Sequence, residues 1–269
     1  MEYKKIISKD TIVVKEFYVR QHLIVNLSHA DGYISINGRL IDVCNNNCIV
    51  IPKFSLVSCS VTRTKEKTIT LSILVVDDNS MIEALSLISN TRKYIYPTPY
   101  VINTPRVIVS NFDLLQRCVT NIEDEKDKHA LLYQCLFFML CAVNEAGVNV
   151  FEHYNFTHNT SKKQIIIRFI TQEPQRQWTI NDIAYVLGLS PANLRRYLKE
   201  EGIILRQLLL NIRMGLALNY LTFTRYSILK ISHLTGFKSP AYFCYLFKQK
   251  HGMTASAFRG ALSKHVSDK

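Results

Sequence analysis

Short apolar runs alternate with polar residues along the first quarter of the chain. Between residues 11 and 76 the sequence consists of brief segments rich in Val, Ile, Tyr and Phe. These residue types favour β-strands, because β-branched and aromatic side chains pack well on a pleated surface. Asn37-Gly38 lies between two such segments and favours a two-residue hairpin loop, since both positions tolerate positive φ. We therefore predict a small antiparallel barrel or sandwich.

The pattern changes to a helical one after Asp77. Apolar residues near 80–89, 111–121 and 129–146 recur at three- and four-residue intervals, as they do on one face of a helix. The apolar run within 129–146 is far shorter than the roughly 20 residues that span a bilayer, so no membrane partner is expected. We interpret this segment as core, with a homodimer face as the alternative.

A polar stretch without periodicity at 151–163 separates this region from a helical C-terminal one. The sequence thus predicts an α+β fold class: a small β-barrel with added helices at 1–150, a linker at 151–163, and an all-α domain at 164–269.

Two segments of the C-terminal region look like copies of one another. Residues 178–199 and 228–248 each contain an apolar helix, a Gly, and Ser-Pro-Ala at the start of another helix. Gly permits positive φ at a helix end, Ser caps the next helix, and Pro suits its first position. The pattern predicts helix-turn-helix (HTH) motifs at about 180–200 and 228–250.

The second helix of each motif divides into two faces. Helical spacing places Leu194 and Leu198 on the inward face of the first of these helices, and Phe243 and Phe247 on the inward face of the second. Arg can pair with guanine and Asn with adenine, whereas Lys more often neutralises phosphates, so the outward residues predict a DNA-reading surface. A merely solvated face is the alternative. The DNA-binding candidates are Ser190, Ala192, Asn193, Arg195, Arg196, Lys199, Lys238, Ser239, Ala241, Tyr242, Tyr245 and Lys248.

A further helix at 205–222 separates the motifs. Eighteen residues at ~1.5 Å each form a rod of about 27 Å, which is compatible with placing two recognition helices in successive major grooves about 34 Å apart. Arg206 and Arg213 on this rod either contact phosphate or are simply exposed.

Positive charge is concentrated in the same region. The chain carries a net charge of +12, and residues 165–269 hold 15 Lys/Arg against 5 Asp/Glu. This balance suits a polyanion such as double-stranded DNA. A non-specific architectural DNA-binding protein is the alternative function, but it would require only phosphate contacts.

Residues 165–262 resemble the AraC/XylS family of transcription regulators. The resemblance is carried by Ile231, Gly236-Phe237, Ser239, Tyr242-Phe243, Phe247-Lys248, Gly252-Met253-Thr254 and Phe258-Arg259. Ala255 departs from the family, which usually has Pro there. The resemblance implies a sequence-specific transcription regulator, more often an activator, with RNA polymerase as a partner.

The first motif, with Trp178-Thr179, Ile183-Ala184 and Leu194-Arg195, is similar to the enteric virulence regulators that include Rns, ToxT and GadX. This similarity implies a cupin-like barrel whose pocket binds a fatty acid or another small carboxylate. Arg20, His22, Lys53 and Lys230 are the candidates for holding such an effector. A lone Arg in an apolar strand is costly to bury without an anion, although an outer-face position is the alternative for Arg20.

An enzyme is not expected. The eight His residues include no His-x-His pair, and the sequence has no Gly-rich phosphate loop or nucleophile motif, so neither metal nor cofactor is predicted. The seven scattered Cys residues and the charged opening of the chain indicate reduced thiols in a cytoplasmic protein.

Overall fold

A computed structural model describes residues 1–64, 67–88, 100–151 and 161–263. The chain divides into two compact units. Among the described residues, the first, or β-rich unit, comprises 1–14, 21–151 and 262–263, and the second, or helical unit, comprises 15–20 and 161–261. The end of the second strand therefore groups with the helices rather than with the remaining strands.

Nine antiparallel strands form two sheets in the described residues, which confirms the predicted β-domain. The larger sheet has the order β1-β8-β3-β6-β9 and the smaller one β2-β7-β4-β5. The strand bounds are β1 Glu2–Ser8, β2 Ile12–Tyr18, β3 His22–Ser28, β4 Ala30–Ile36, β5 Arg39–Val43, β6 Asn47–Ile51, β7 Leu56–Arg63, β8 Ile69–Val76 and β9 Val101–Asn103.

The hairpin between β4 and β5 has the predicted loop. Asn37 and Gly38 have φ values of 55° and 83°, and Ile36 pairs with Arg39 across the loop. Two consecutive positive φ values match the right-handed twist of the paired strands. The Asn-Gly pair therefore determines the register of this hairpin.

The helices of the β-rich unit whose bounds lie within the described residues are α1 Asp78–Ser86, which precedes β9, and α2 Arg106–Cys118 and α3 Glu125–Glu145, which follow it. Helix α3 begins four residues before the predicted start, because the Asp124 side chain caps it by accepting from the backbone N–H groups of Lys126 and Asp127. Leu136, Met139 and Leu140 of α3 are fully buried in the core of this unit. Phe138 is 54% exposed, so one apolar side chain of the run faces away from that core.

The helical unit contains α4 Lys162–Gln172, α5 Ile180–Val186, α6 Pro191–Glu200, α7 Leu205–Phe223, α8 Ile228–Leu234, α9 Pro240–His251 and α10 Ala255–Ser263. Helix α4 starts inside the predicted linker, because Ser161 and Gln164 form a capping box at its first turn. Residues 152–160, most of the predicted linker, lie outside the described residues. Across the ranges that the structure describes, no helix has the length and hydrophobicity needed to cross a membrane.

Candidate nucleic-acid interface

The first HTH motif consists of α5 and α6. Thr179 and Asp182 form a capping box at the start of α5. Gly188 ends the turn with φ 63°, and Ser190 caps α6 by accepting a hydrogen bond of 3.2 Å from the backbone N–H of Asn193. These local bonds satisfy backbone donors that a helix start leaves unpaired. Ser190 therefore fixes the start of the recognition helix α6 and also lies beside its outer face.

The outer face of α6 is polar and solvated. Ala192, Asn193, Arg195, Arg196 and Lys199 are all exposed, whereas Leu194 and Leu198 are 0% and 5% exposed. Arg196 lies 3.9 Å from a carboxylate oxygen of Glu200, a loose ion pair between two exposed side chains. Such pairs contribute little in water, so Arg196 can exchange this partner for a phosphate or a base.

The second HTH motif consists of α8 and α9 and has an aromatic core. Phe243 and Phe247 are fully buried, with ring centroids 5.8 Å apart, and Phe237 from the turn lies 5.2 Å from Phe243. Ser239 caps α9 by accepting from the backbone N–H of Tyr242 at 3.2 Å. The aromatic packing fixes which side of α9 faces outward.

That outward side carries the predicted residues of the second motif. Lys238, Ser239, Ala241 and Lys248 are exposed, and Tyr242 and Tyr245 are 48% and 60% exposed. Cys244, which is not among the predicted DNA-binding residues, is exposed on the same helix. The two exposed tyrosines give this surface flat apolar rings with hydroxyl groups, which suit contact with thymine methyls and phosphate oxygens.

Helix α7 separates the motifs, and its two arginines differ in exposure and in hydrogen bonding. Arg206 is exposed. Arg213 is half-buried: its Nε donates to the carbonyl of Pro174 and its Nη2 to the carbonyl of Arg176, both at 3.1 Å. Burial lowers the pKa of Arg213. Arg213 is thus not simply exposed, because two of its donors are directed at the backbone of the α4–α5 loop. Its contact with phosphate stays a prediction.

The α4–α5 loop is itself held by side chains around Arg176. The Arg176 guanidinium lies 4.6 Å from the Trp178 ring centroid and donates to a carboxylate oxygen of Asp182 at 2.7 Å. The Trp178 indole donates to the carbonyl of Glu173 at 2.9 Å. Hydrogen bonds from the Thr179 hydroxyl and backbone, and then from Arg176, lower the pKa of Asp182 to about 2. Asp182 therefore stays ionised at neutral pH and keeps the loop joined to α5.

Two of the candidate effector-binding cations lie in the helical unit. The Arg20 guanidinium donates to the Tyr220 hydroxyl at 3.1 Å, and Lys230 lies 3.8 Å from the Tyr226 ring centroid. The two tyrosine rings are 6.0 Å apart. The ion pairs found among the described residues include neither Arg20 nor Lys230. These cations therefore form an aromatic-lined cluster to which an anion could be added.

His22 and Lys53 lie together in the β-rich unit, on either side of Asp78. The Lys53 ammonium pairs with Asp78, and His22 Nε2 lies 3.4 Å from the other carboxylate oxygen. His22 Nδ1 accepts the Lys53 backbone N–H at 3.2 Å, which assigns the imidazole proton to Nε2. Burial lowers the pKa of His22 despite the nearby Asp78 carboxylate. His22 is thus a neutral, 1% exposed residue whose two ring nitrogens both have partners.

No group of three or more His, Cys, Asp or Glu side chains able to hold a metal ion occurs in the part of the chain that the structure describes. The chemistry of the HTH surface is instead that of duplex recognition, since each recognition helix has a capped start and a buried apolar face. The outer face carries Asn, Arg and Lys on α6 and Tyr and Lys on α9. These features define a tandem-HTH DNA-binding protein.

Comparison with known proteins identifies the family. A family model described as a helix-turn-helix domain matches residues 183–261. The chain is 39% identical over 266 residues to the urease operon transcriptional activator of Escherichia coli, covering 96% of this chain and 90% of that protein. The chain belongs to the AraC-type family of transcription regulators and is a DNA-binding regulator of transcription.

Other known proteins match either part of the chain in sequence or nearly all of it in fold. GadX of Escherichia coli K12 is 32% identical over 93 residues, which cover 35% of this chain and 34% of that protein. Among solved structures, an apo ToxT variant from Vibrio cholerae has a TM-score of 0.74 at 15% identity, with 97% of both chains covered. The structure of ToxT with a bound unsaturated fatty acid has a TM-score of 0.68 at 16% identity, covering 97% of this chain and 95% of that chain. The two ToxT matches show that the two-domain fold is shared.

Proposed function

We propose that this protein activates transcription by reading two adjacent boxes of promoter DNA, one with each HTH motif. The observation that supports the proposal most directly is the pair of exposed recognition faces, on α6 and α9 of one chain. A single chain could then contact two successive turns of major groove without a partner, although a homodimer is compatible with the proposal. The protein would act in the cytoplasm, where promoter DNA is found.

Within this proposal, the outward side chains have distinct roles. Arg195 and Asn193 have the donors and acceptors that read guanine and adenine edges, and Tyr242 and Tyr245 offer rings to thymine methyls. Lys199 and Lys248 would contact phosphates, which position the protein without reading sequence. The small side chains of Ser190, Ala192, Ser239 and Ala241 would allow close approach of each helix to the groove. Lys238, beside Ser239, would contact phosphate.

Activation rather than repression is supported by the named relatives. The 39% identical relative is a transcriptional activator of the urease operon, and VirF of Shigella flexneri, 32% identical over 93 residues, is a virulence regulon activator. We propose the same output for this chain, with virulence-type genes as targets, RNA polymerase as the partner that it recruits, and no enzymatic activity of its own.

Selection of duplexes from a random DNA pool by the purified full chain tests the DNA-reading proposal. We expect a motif with two conserved boxes whose centres lie about 10 base pairs apart, one helical turn. Enrichment of no motif, with binding governed by salt alone, would support the architectural alternative and contradict the proposal. Fusing the recovered motif upstream of a reporter promoter then tests activation, which predicts a higher transcript level with the protein than without it.

We further propose that an anionic effector, a fatty acid or another small carboxylate, binds at Arg20 and Lys230. The proposal is supported by the two cations beside Tyr220 and Tyr226 and by the fatty acid bound to the ToxT neighbour. His22 and Lys53 remain secondary candidates, because Asp78 already pairs with both.

Titration of the full chain with oleate below its micelle concentration tests the effector site. A ligand that binds only the folded state raises the midpoint of thermal unfolding, so we expect a rise with oleate but not with oleyl alcohol, which lacks the carboxylate. The Arg20→Gln and Lys230→Gln variants should lose this rise, whereas Arg206→Gln, an exposed arginine on α7, should keep it. An equal response to acid and alcohol would contradict a carboxylate site.

A further inference from the structure

Three segments that are far apart in sequence meet at the Pro174 carbonyl. Arg213 of α7 donates to this oxygen from Nε and to the Arg176 carbonyl from Nη2, each at 3.1 Å. Pro174 precedes the first HTH motif, while Gly236 belongs to the turn of the second. A Cβ added to Gly236 would lie 2.1 Å from the Pro174 oxygen and 3.0 Å from Arg213 Nε. We call Pro174, Arg213 and Gly236 the Arg213 junction.

The junction leaves little room for adjustment. A Cβ–oxygen distance of 2.1 Å is far below contact distance, so only glycine allows the turn to approach the carbonyl this closely. Gly236 also has φ 83°, a conformation that other residues rarely adopt. The guanidinium fork is planar, so two donated bonds define the direction of Arg213 as well as its distance. The turn of the second motif is therefore held directly against the loop that begins the first.

Further hydrogen bonds connect the surroundings of the Arg213 junction to a helix of each HTH motif. For the first motif, Arg176 reaches Asp182 of α5 at 2.7 Å. For the second motif, Lys250 near the end of α9 donates from its ammonium to the side-chain oxygen of Asn211 at 2.6 Å. Asn211 lies on α7, two positions before Arg213. Helix α7 is thus tied through polar side chains to the first motif and to the second recognition helix.

The relative placement of two DNA-reading helices determines which box spacing a protein accepts. Adding one base pair between two boxes moves the second box by about 3.4 Å and rotates it by about 34°. A protein with freely moving motifs could follow this change, whereas a rigid one would lose the base contacts of one helix. We propose that the Arg213 junction is the device that holds the motifs at one spacing and phase, so that Arg213 determines spacing specificity without touching DNA. The inference rests on the proposed tandem reading.

The test measures binding of the full chain to its selected two-box duplex and to duplexes with one base pair added or removed between the boxes. For the wild type we expect at least about tenfold weaker binding at either altered spacing, the size of a lost base contact or more. The Arg213→Met variant, which keeps an apolar stem but has no donors, should bind all three duplexes within about threefold of one another. A merely structural role would weaken binding equally at every spacing and leave the ratio unchanged.

Arg206→Met is the matched control, because Arg206 lies on the same helix, carries the same charge and is exposed. It should keep the wild-type ratio. Arg213→Lys serves where the Met variant does not fold, as judged by its thermal transition; the ammonium keeps the charge but lacks the planar fork, so the ratio should still fall. A wild-type ratio in the folded Arg213 variants would overturn the junction's role. A wild type that selects no two-box site would contradict the proposed function itself.

Discussion

His251 occupies an apolar position at the end of α9. Its ring lies 4.6 Å from the Phe247 ring, and its Nε2 is buried without a hydrogen-bond partner among the residues that the structure describes. Burial, followed by the charges of Lys250 and Lys15, lowers its pKa to about 4. Because the unfolded chain has a His pKa near 6.5, it binds more protons than the folded chain between pH 6.5 and 4. The stabilising contribution is therefore full above about pH 6.5 and is lost as pH falls toward 4.

We expect the free energy of unfolding of the helical unit to fall by on the order of 2 kcal/mol between pH 7 and pH 4 through this residue, after allowance for its partial exposure. His251→Phe should remove that part of the pH dependence. Trp178 is the single tryptophan and is 6% exposed within the helical unit, so its fluorescence during denaturant titration reports on this unit. An identical pH dependence in the variant would show that His251 does not titrate in this range.

Arg195 tests base reading at the level of one side chain. Arg195→Ala should remove a bidentate contact to guanine and cost about 1–3 kcal/mol of discrimination at one base pair of the first box. Competition binding between the selected duplex and the duplexes substituted at each position measures this discrimination. Lys199→Ala, one helical turn along the same exposed face, is the control and should weaken all duplexes to a similar extent. If Arg195→Ala also lowered the affinity for all duplexes equally, Arg195 would contact phosphate rather than a base.

At the scale of the element, the N-cap of each recognition helix has a structural role that can be separated from any contact with DNA. Ser190→Ala removes the acceptor for the Asn193 backbone N–H and should cost about 1 kcal/mol of unfolding free energy. Ser190→Asp should keep the cap but bring a negative charge close to phosphate. We therefore expect Asp to retain stability and lose DNA affinity, and Ala to lose stability; denaturant titration and DNA binding measure the two effects. Unchanged affinity in Ser190→Asp would place this helix start away from the DNA backbone.

At the scale of the whole molecule, the charge distribution predicts a strong dependence of DNA binding on salt. Five exposed cations lie on the recognition helices or at their starts: Arg195, Arg196, Lys199, Lys238 and Lys248. If most of them contact phosphate, the logarithm of the association constant should fall with the logarithm of salt concentration with a slope of about −4. Lys248→Ala should reduce that slope by about 0.9. A slope near −1 for the wild type would mean that these cations are not at the interface.

Features that depend on neighbouring residues could be predicted from the sequence alone. The Asn37-Gly38 loop, the Ser-Pro helix starts and the inward positions of Leu194 and Phe243 follow from φ preferences, capping and helical spacing, all of which act within a few residues. The predicted start of α3 lies four residues after the observed one, because periodicity marks where apolar residues begin and the Asp124 cap precedes them. Local physics thus sufficed for the fold class and for both recognition helices.

Contacts between distant residues were decided only by the tertiary structure. The sequence favours an exposed or phosphate-binding Arg213, yet two of its donors form hydrogen bonds with carbonyls 37 and 39 positions earlier. Arg20 meets Tyr220 at a separation of 200 residues, and Asp78 joins His22 to Lys53. No periodicity links such positions, since their proximity results from the packing of whole elements. The sequence therefore determined the elements and their exposed faces, whereas packing decided which polar side chains are directed at backbone, at one another or at solvent.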